Sequence, residues 1–284
     1  MPQMLKIIFF IMISCLAAAS AALAEPVRLG VFPYISPSQM VSQLTPLQRY
    51  LEKTLAREIE MLSAPDFMSF VERTAHGDYD LVITAPHMGR LAQQRDGWQL
   101  VVMSGQQTAT VILVPRAAGI KTLKELRGGK MAVGNWRSVT CMLAKQALAE
   151  EGLTLGVDVE VIETATFSNV VSALLHGEVE AGATPTLLWD QWAYVNEEQR
   201  RQLHELFRAP PPTPHSFLVM APPTMAAAEV EDLRRSLLAF GDTPAGRKFF
   251  VQSQYHSFLP PDEQAMALSD PFVHVLLPDA TLTP

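Results

Sequence analysis

The chain has 284 residues, 48% of them hydrophobic, with 22 Lys and Arg against 29 Asp and Glu and a net charge of −7. That acidic balance argues against nucleic acid or anionic lipid as a partner, yet leaves room for an anionic small ligand in a donor-rich pocket. The length suits one large domain or two of ordinary size, with ample core.

Residues 1–24 read as a signal peptide. Lys6 supplies the positive start, residues 7–16 a short apolar core, and Ala22-Leu23-Ala24 a small-x-small cleavage site before Glu25-Pro26. The apolar run falls short of the about 20 residues of a membrane span. Met12-Ile13-Ser14-Cys15 offers a competing lipoprotein reading, tethered through Cys15; the expectation is a soluble, periplasmic protein beginning at Glu25. Cys15 leaves with the leader, so Cys141 has no partner for an internal disulfide.

The pattern predicts a strand over 27–32 and a turn-rich stretch over 33–38. A helix over 44–56 has Leu44, Leu47, Leu51 and Leu55 at helical spacing, with Thr45-Pro46 at its start. Strands at 58–63 and 81–84 alternate with helices at 67–75 and 86–95, and strands at 100–103 and 110–114 follow. A second cycle has strands at 130–133, 159–162 and 181–183 and helices at 141–151, 169–176 and 185–194. The alternation signals mostly parallel sheets with crossover helices. Pro210-Pro211-Pro212-Thr213-Pro214 is a connector too rigid for a helix or central strand. A strand at 215–220 and helices at 225–240 and 245–254 close the chain. Two α/β cycles and a return predict two lobes, 25–112 plus 213–284 and 113–212. The chain should cross between them near 110–115 and 209–214.

One passage recurs a hundred positions later. Phe67 leads to His76-Gly77-Asp78-Tyr79-Asp80 and on to Thr84 and Pro86; Phe167 leads to His176-Gly177-Glu178-Val179-Glu180 and on to Thr184-Pro185. Each reads as a helix end, a Gly able to take the left-handed stop, a buried strand, then Thr and Pro opening a helix. Duplication or convergence of an α/β unit explains this; chance repetition of a helix-stop composition is the alternative.

Enzyme signatures are thin. The chain lacks a Gly-x-Ser-x-Gly elbow, His-Glu-x-x-His, paired Cys-x-x-Cys and a phosphate loop. His76 and His176 suit helix C-termini, where an imidazole complements the dipole. The seven His show no metal-ligand spacing, so neither a metal nor a cofactor is expected. The loops after strands say more: Tyr34 and Ser36, Thr84 and His87, and Arg137, Ser138 and Thr140 are donors placed where strands end and helices begin. Such groups bind oxyanions together with helix N–H groups. Ser138 and Thr140 read equally as caps of the helix near Cys141. The ligand set expected is Tyr34, Thr84 and His87 from one lobe and Ser138 and Thr140 from the other, with Asn169 as an outlier. Trp189 and Trp192 read as core or lobe-packing residues.

Leu29-Gly30-Val31-Phe32-Pro33-Tyr34, Pro46-Leu47 with Tyr50-Leu51, Gly77-Asp78-Tyr79-Asp80, and Pro86-His87 with Leu91-Ala92 resemble the substrate-binding proteins of phosphate/phosphite/phosphonate ABC importers. The resemblance is dense over 27–92 and weaker after Pro115. It implies a type II periplasmic-binding-protein fold: two α/β lobes on two hinge crossings that close on a ligand and then dock on a membrane permease. The family's Ser-Thr-Ser-Gly run corresponds to Ser138-Val139-Thr140-Cys141, with Val139 in place of the middle donor. Phe167-Ser168-Asn169 stands where the family has a ligand-contacting His, and Glu180 corresponds to a family acid. The implied function is a non-enzymatic, monomeric carrier of a small oxyanion, serving an inner-membrane ABC permease. The alternative is a sensing component read by a histidine kinase. Cys141 adds to it a thiolate stabilised at a helix N-terminus and suited to a thiophilic oxyanion such as arsenite.

Overall fold

The computed structural model describes residues 25–164, 166–190, 196–253 and 255–277. The expected leader, Cys15 and Trp192 lie outside them. Two sheets form the frame. The first has the strand order β11-β4-β10-β3-β1-β2: β1 (Val27–Val31), β2 (Ile59–Leu62), β3 (Leu81–Thr84), β4 (Gln99–Ser104), β10 (Leu218–Ala221) and β11 (Phe258–Leu259). The second runs β7-β6-β8-β5-β9: β5 (Thr110–Pro115), β6 (Lys130–Val133), β7 (Glu160–Glu163), β8 (Ala181–Pro185) and β9 (Leu203–Arg208).

Each sheet has a parallel half, in which β1 pairs with β2 and β3, and β6 with β7 and β8. The strand that enters each sheet directly after a crossing runs antiparallel to its neighbours: β10 against β3 and β4, β5 against β8 and β9. The sheets are therefore mixed, where alternation alone predicts a mostly parallel arrangement. A strand arriving from the other lobe has no crossover helix to reverse it.

Strand β5 shows why apolar runs dominate. Ile112 and Val114 pack with Cys141, Ala144 and Leu148 on one face, and Val111 and Leu113 with Val170 and Leu174 on the other. Successive side chains point to opposite faces, and both faces are covered by helices. Burying these side chains contributes about 1.5–3 kcal/mol each.

The first long helix is Pro37–Leu55, not 44–56. Ser36 and Gln39 form a capping box, Pro37 sits in the first turn, and Pro46 lies inside the helix. The repeated His-Gly stops serve as expected. Gly77 and Gly177 adopt φ of 76° and 70°, ending the helices Phe67–His76 and Phe167–Leu175.

The crossings lie at 105–109, ahead of β5 rather than within 110–115, and at 209–217. They pair with each other: Thr108 N donates to the Pro214 carbonyl at 2.7 Å and Ser216 N to the Gln106 carbonyl at 2.8 Å. No helix among the described residues is long and apolar enough to cross a membrane.

Candidate functional site

Three strand ends converge between the sheets. Phe32 and Tyr34 follow β1, Ala85-Pro86-His87 follow β3, and Ser138-Val139-Thr140 follow the loop after β6. Together they wall a cavity of about 130 Å³. Two helix N-termini meet there, those of Pro86–Asp96 from the first lobe and Val139–Glu150 from the second. Each offers unpaired N–H groups and the positive end of its dipole.

The two N-termini are finished differently. Ser138 caps its helix by accepting from Cys141 N at 3.2 Å, and its hydroxyl hydrogen stays free to donate elsewhere. Ala85 has no side chain that can cap, so the first turn of Pro86–Asp96 makes no capping hydrogen bond. Its N–H groups are left for whatever fills the cavity.

Of the sequence-predicted residues, Tyr34, His87, Ser138 and Thr140 line this cavity. Thr84 and Asn169 do not. Thr84 is buried and lines a separate small hollow with Phe70, Val71 and Met88. Asn169 is exposed on the helix Phe167–Leu175, where its N–H is taken by the cap Thr166 at 3.3 Å. Strand alternation turns the Thr84 side chain away, and the expected opening helix begins two residues ahead of Asn169.

Sequence reasoning missed Thr108 and Ser216, one on each crossing, and Ser253 and Tyr255 near the end of a late helix. The crossings pair over long range, so no local signal marks their side chains. Phe32, Phe67, Phe167 and Leu187 are prominent in its apolar part, and Gln43 and Gln252 add two amides. No carboxylate, ammonium or guanidinium is among the described residues that line it.

His87 is 1% exposed, and its Nε2 lies 3.0 Å from the carbonyl oxygen of Arg137 in the other lobe. Burial pushes its imidazole down to about 4, with the Arg137 carbonyl pulling weakly the other way. Nδ1 of His87 and Oγ of Ser216 are buried without a hydrogen-bond partner among the described residues. Tyr34 stacks on Phe32 at 4.6 Å and receives a hydrogen bond from the Tyr255 hydroxyl. Arg137 lies outside the wall. Its guanidinium packs on Trp136 at 4.1 Å, and its Nε donates to the Val275 carbonyl of the first lobe at 3.2 Å.

Two expectations change here. Cys141 is not an activated thiol: it is packed among Ile112, Val133 and Ala144, and burial pushes it up to about 12. The dipole that would stabilise a thiolate is outweighed by loss of water. Glu180 does not reach the cavity either; its carboxylate accepts from Lys130 N at 2.7 Å. Trp189 is a buried core residue, donating to Glu205 at 2.7 Å beneath the Arg200 guanidinium. No group of His, Cys, Asp and Glu able to hold a metal occurs among the described residues.

Comparison with known proteins gives the arrangement a context. Residues 29–266 match a family model described as the periplasmic substrate-binding protein of a phosphonate ABC transporter. Among solved structures, PhnD1 from Prochlorococcus marinus (MIT 9301), in complex with methylphosphonate, is similar at a TM-score of 0.77 and 13% identity, covering 87% of this chain and 97% of that one. XAC2383 from Xanthomonas citri bound to chloride ion gives 0.73 and 21%, with 88% and 96% covered. The aliphatic sulphonate-binding protein SsuA from Escherichia coli gives 0.59 and 20%, with 88% and 90% covered. At these identities the structures speak for the fold, which is the type II periplasmic-binding-protein fold.

Proposed function

From a chain that belongs to the family of periplasmic substrate-binding proteins of phosphonate ABC transporters, we propose a carrier that holds a small phosphonate-like oxyanion between its two lobes and delivers it to an inner-membrane ABC permease. One observation carries this reading. Two helix N-termini, one from each lobe, open on a single cavity with hydroxyls around it and no carboxylate in its described wall. Such ends bind oxyanions through backbone N–H groups without needing a charged side chain.

The proposed contacts are Tyr34, His87, Ser138 and Thr140, joined by Thr108 and Ser216 of the crossings. Both lobes must contribute, or closure would have no differential contact to drive it. The lobes in this reading follow the two sheets, so the expected bounds 25–112 with 213–284 and 113–212 move to the crossings at 105–109 and 209–217, with β5 wholly in the second lobe. The carrier acts as a monomer that turns nothing over. It reaches the periplasm by cleavage after Ala24; an intact mass beginning at a lipidated Cys15 would overturn that part.

Thermal-shift and calorimetric screening across phosphate, phosphite, alkyl- and arylphosphonates and sulfate tests the main reading. A ligand at 100 times its dissociation constant should add about 2.7 kcal/mol to stability. A flat response to every phosphorus oxyanion would overturn it.

A further inference from the structure

Most polar groups on the described cavity wall can donate: the hydroxyls of Tyr34, Thr108, Ser138, Thr140 and Ser216, the amides of Gln43 and Gln252, and the N–H groups of two helix ends. His87 differs from them in that its hydrogen-bond geometry fixes which ring nitrogen holds the hydrogen and which is left as an acceptor. A carbonyl oxygen only accepts, so the His87 Nε2 that lies 3.0 Å from the Arg137 carbonyl must hold the hydrogen. Three circumstances keep the ring neutral. It is buried, it sits in the first turn of a helix where the dipole opposes a cation, and no carboxylate is among the described residues that line the cavity beside it. The other titratable or charged groups around it are occupied or neutral. The Tyr34 and Tyr255 hydroxyls bond to each other, the Arg137 guanidinium is turned onto Trp136 and Val275, and Arg90 on the same helix is paired with Asp270 and Glu263.

A neutral imidazole with its hydrogen on Nε2 has a bare lone pair on Nδ1. That atom is fully buried and has no partner among the described residues. A buried acceptor without a donor is costly and calls for one from outside. Resting on the reading that this cavity binds an oxyanion, we infer that the ligand is selected in its monoprotonated form, as a hydrogenphosphonate whose P–OH donates to Nδ1 of His87. His87 is then a specificity-determining residue. It distinguishes an acid that keeps a proton near neutrality from a sulfonate of the same shape, which has none to give and leaves Nδ1 unpaired. The remaining anionic oxygens face the helix N–H groups and hydroxyls, and the organic substituent faces Phe32, Phe67 and Phe167.

The test pairs methylphosphonate with methanesulfonate, and phenylphosphonate with benzenesulfonate, by titration calorimetry at about pH 6, where a second ionisation in the neutral range leaves the phosphonate a monoanion. Within each pair the phosphonate should bind roughly tenfold tighter or more, the factor one hydrogen bond to a charged partner carries. At about pH 8, titration in buffers of different ionisation enthalpy should show uptake of one proton per phosphonate dianion bound. His87→Asn, whose amide can turn either its oxygen or its N–H to the ligand, should narrow the preference; His87→Phe should abolish it, with circular dichroism reporting that both variants fold. Equal affinities within both pairs, or no proton uptake, overturns the inference while oxyanion binding stands. If none of the four anions binds and the wider screen is flat for every phosphorus oxyanion, the proposed function falls and this inference with it. If another phosphorus oxyanion binds instead, the absence of proton uptake with it at about pH 8 overturns the inference alone.

Discussion

Nε2 of His87 and the carbonyl oxygen of Arg137 lie 3.0 Å apart, one residue in each lobe, at the mouths of the two facing helices. Arg137 also sends its side chain across, donating from Nε to the Val275 carbonyl at 3.2 Å. A single loop residue of the second lobe therefore holds the first lobe at two points, beside the cavity but outside its wall. Contacts that exist only when the lobes are together bias closure, and through closure affinity.

Removing the side-chain half of this latch should loosen the closed state without touching the ligand. Arg137→Ala should weaken ligand binding by about two- to tenfold, the range for one net hydrogen bond. Solution scattering of the unliganded variant should show a larger radius of gyration than the parent. Unchanged scattering together with unchanged affinity would show that the latch does not control closure.

The buried imidazole gives a pH dependence of known sign. Folded, His87 titrates at about 4, below its ordinary 6.5. Between those values the unfolded chain binds a proton that the folded chain refuses, so stability is fully present above 6.5 and falls as pH drops toward 4. The window is worth up to about 3 kcal/mol. Urea unfolding across that range should show the loss in the parent and a smaller one in His87→Phe; equal slopes would place the dependence on other groups.

Ligand contact should follow the cavity wall and not the strand-end rule alone. Thr140→Ala should weaken binding roughly 10- to 150-fold, as expected for a hydrogen bond to an anion. Asn169→Ala should leave it unchanged, because Asn169 is exposed and off the wall. Calorimetry on the two variants checks this; the reverse order would move the site to the helix Phe167–Leu175.

What the sequence makes legible follows from which interactions are local. Strand β5 stands out because both of its faces are buried, and four of the site residues because parallel strands deliver their C-terminal ends to helix N-termini. The start of Pro37–Leu55 is written in Ser36, Pro37 and Gln39, but Pro46 obscures it by reading as a first turn while sitting in a helix interior. Thr108 and Ser216 are illegible for a different reason. Their place on the wall depends on two crossings pairing across more than a hundred positions of the sequence, and local patterning carries no trace of that.

Cys141 should behave as a core residue. With its thiol pushed up to about 12 and packed under β5 and β6, it should react with a disulfide reagent only as fast as the protein unfolds. Labelling kinetics in native buffer and in urea measure this, and arsenite should give no thermal stabilisation. Rapid native labelling would revive a reactive thiol.

The repeated passage ends in an acid that does the same work in both lobes. Asp80 accepts from Arg28 N at 2.8 Å, while Asp80 N donates to the Arg28 carbonyl at 2.8 Å. Glu180 accepts from Lys130 N at 2.7 Å, and Glu180 N donates to the Lys130 carbonyl at 3.1 Å. Each acid thus staples the entry of a central strand, β1 or β6, to the strand that follows the His-Gly stop. Asp80 adds an ion pair with the Arg28 guanidinium at 2.8 Å that Glu180 has no counterpart for among the described residues. Both sites are partly solvated, which screens the charges. Asp80→Ala should cost about 1–2 kcal/mol and Glu180→Ala about 1 kcal/mol or less. High salt should shrink only the Asp80 effect, since screening weakens the ion pair more than the backbone bond. Chemical denaturation of both variants at low and high salt checks the pair. If Glu180→Ala proves as costly and as salt-sensitive as Asp80→Ala, charge pairing and not the staple accounts for the repeat.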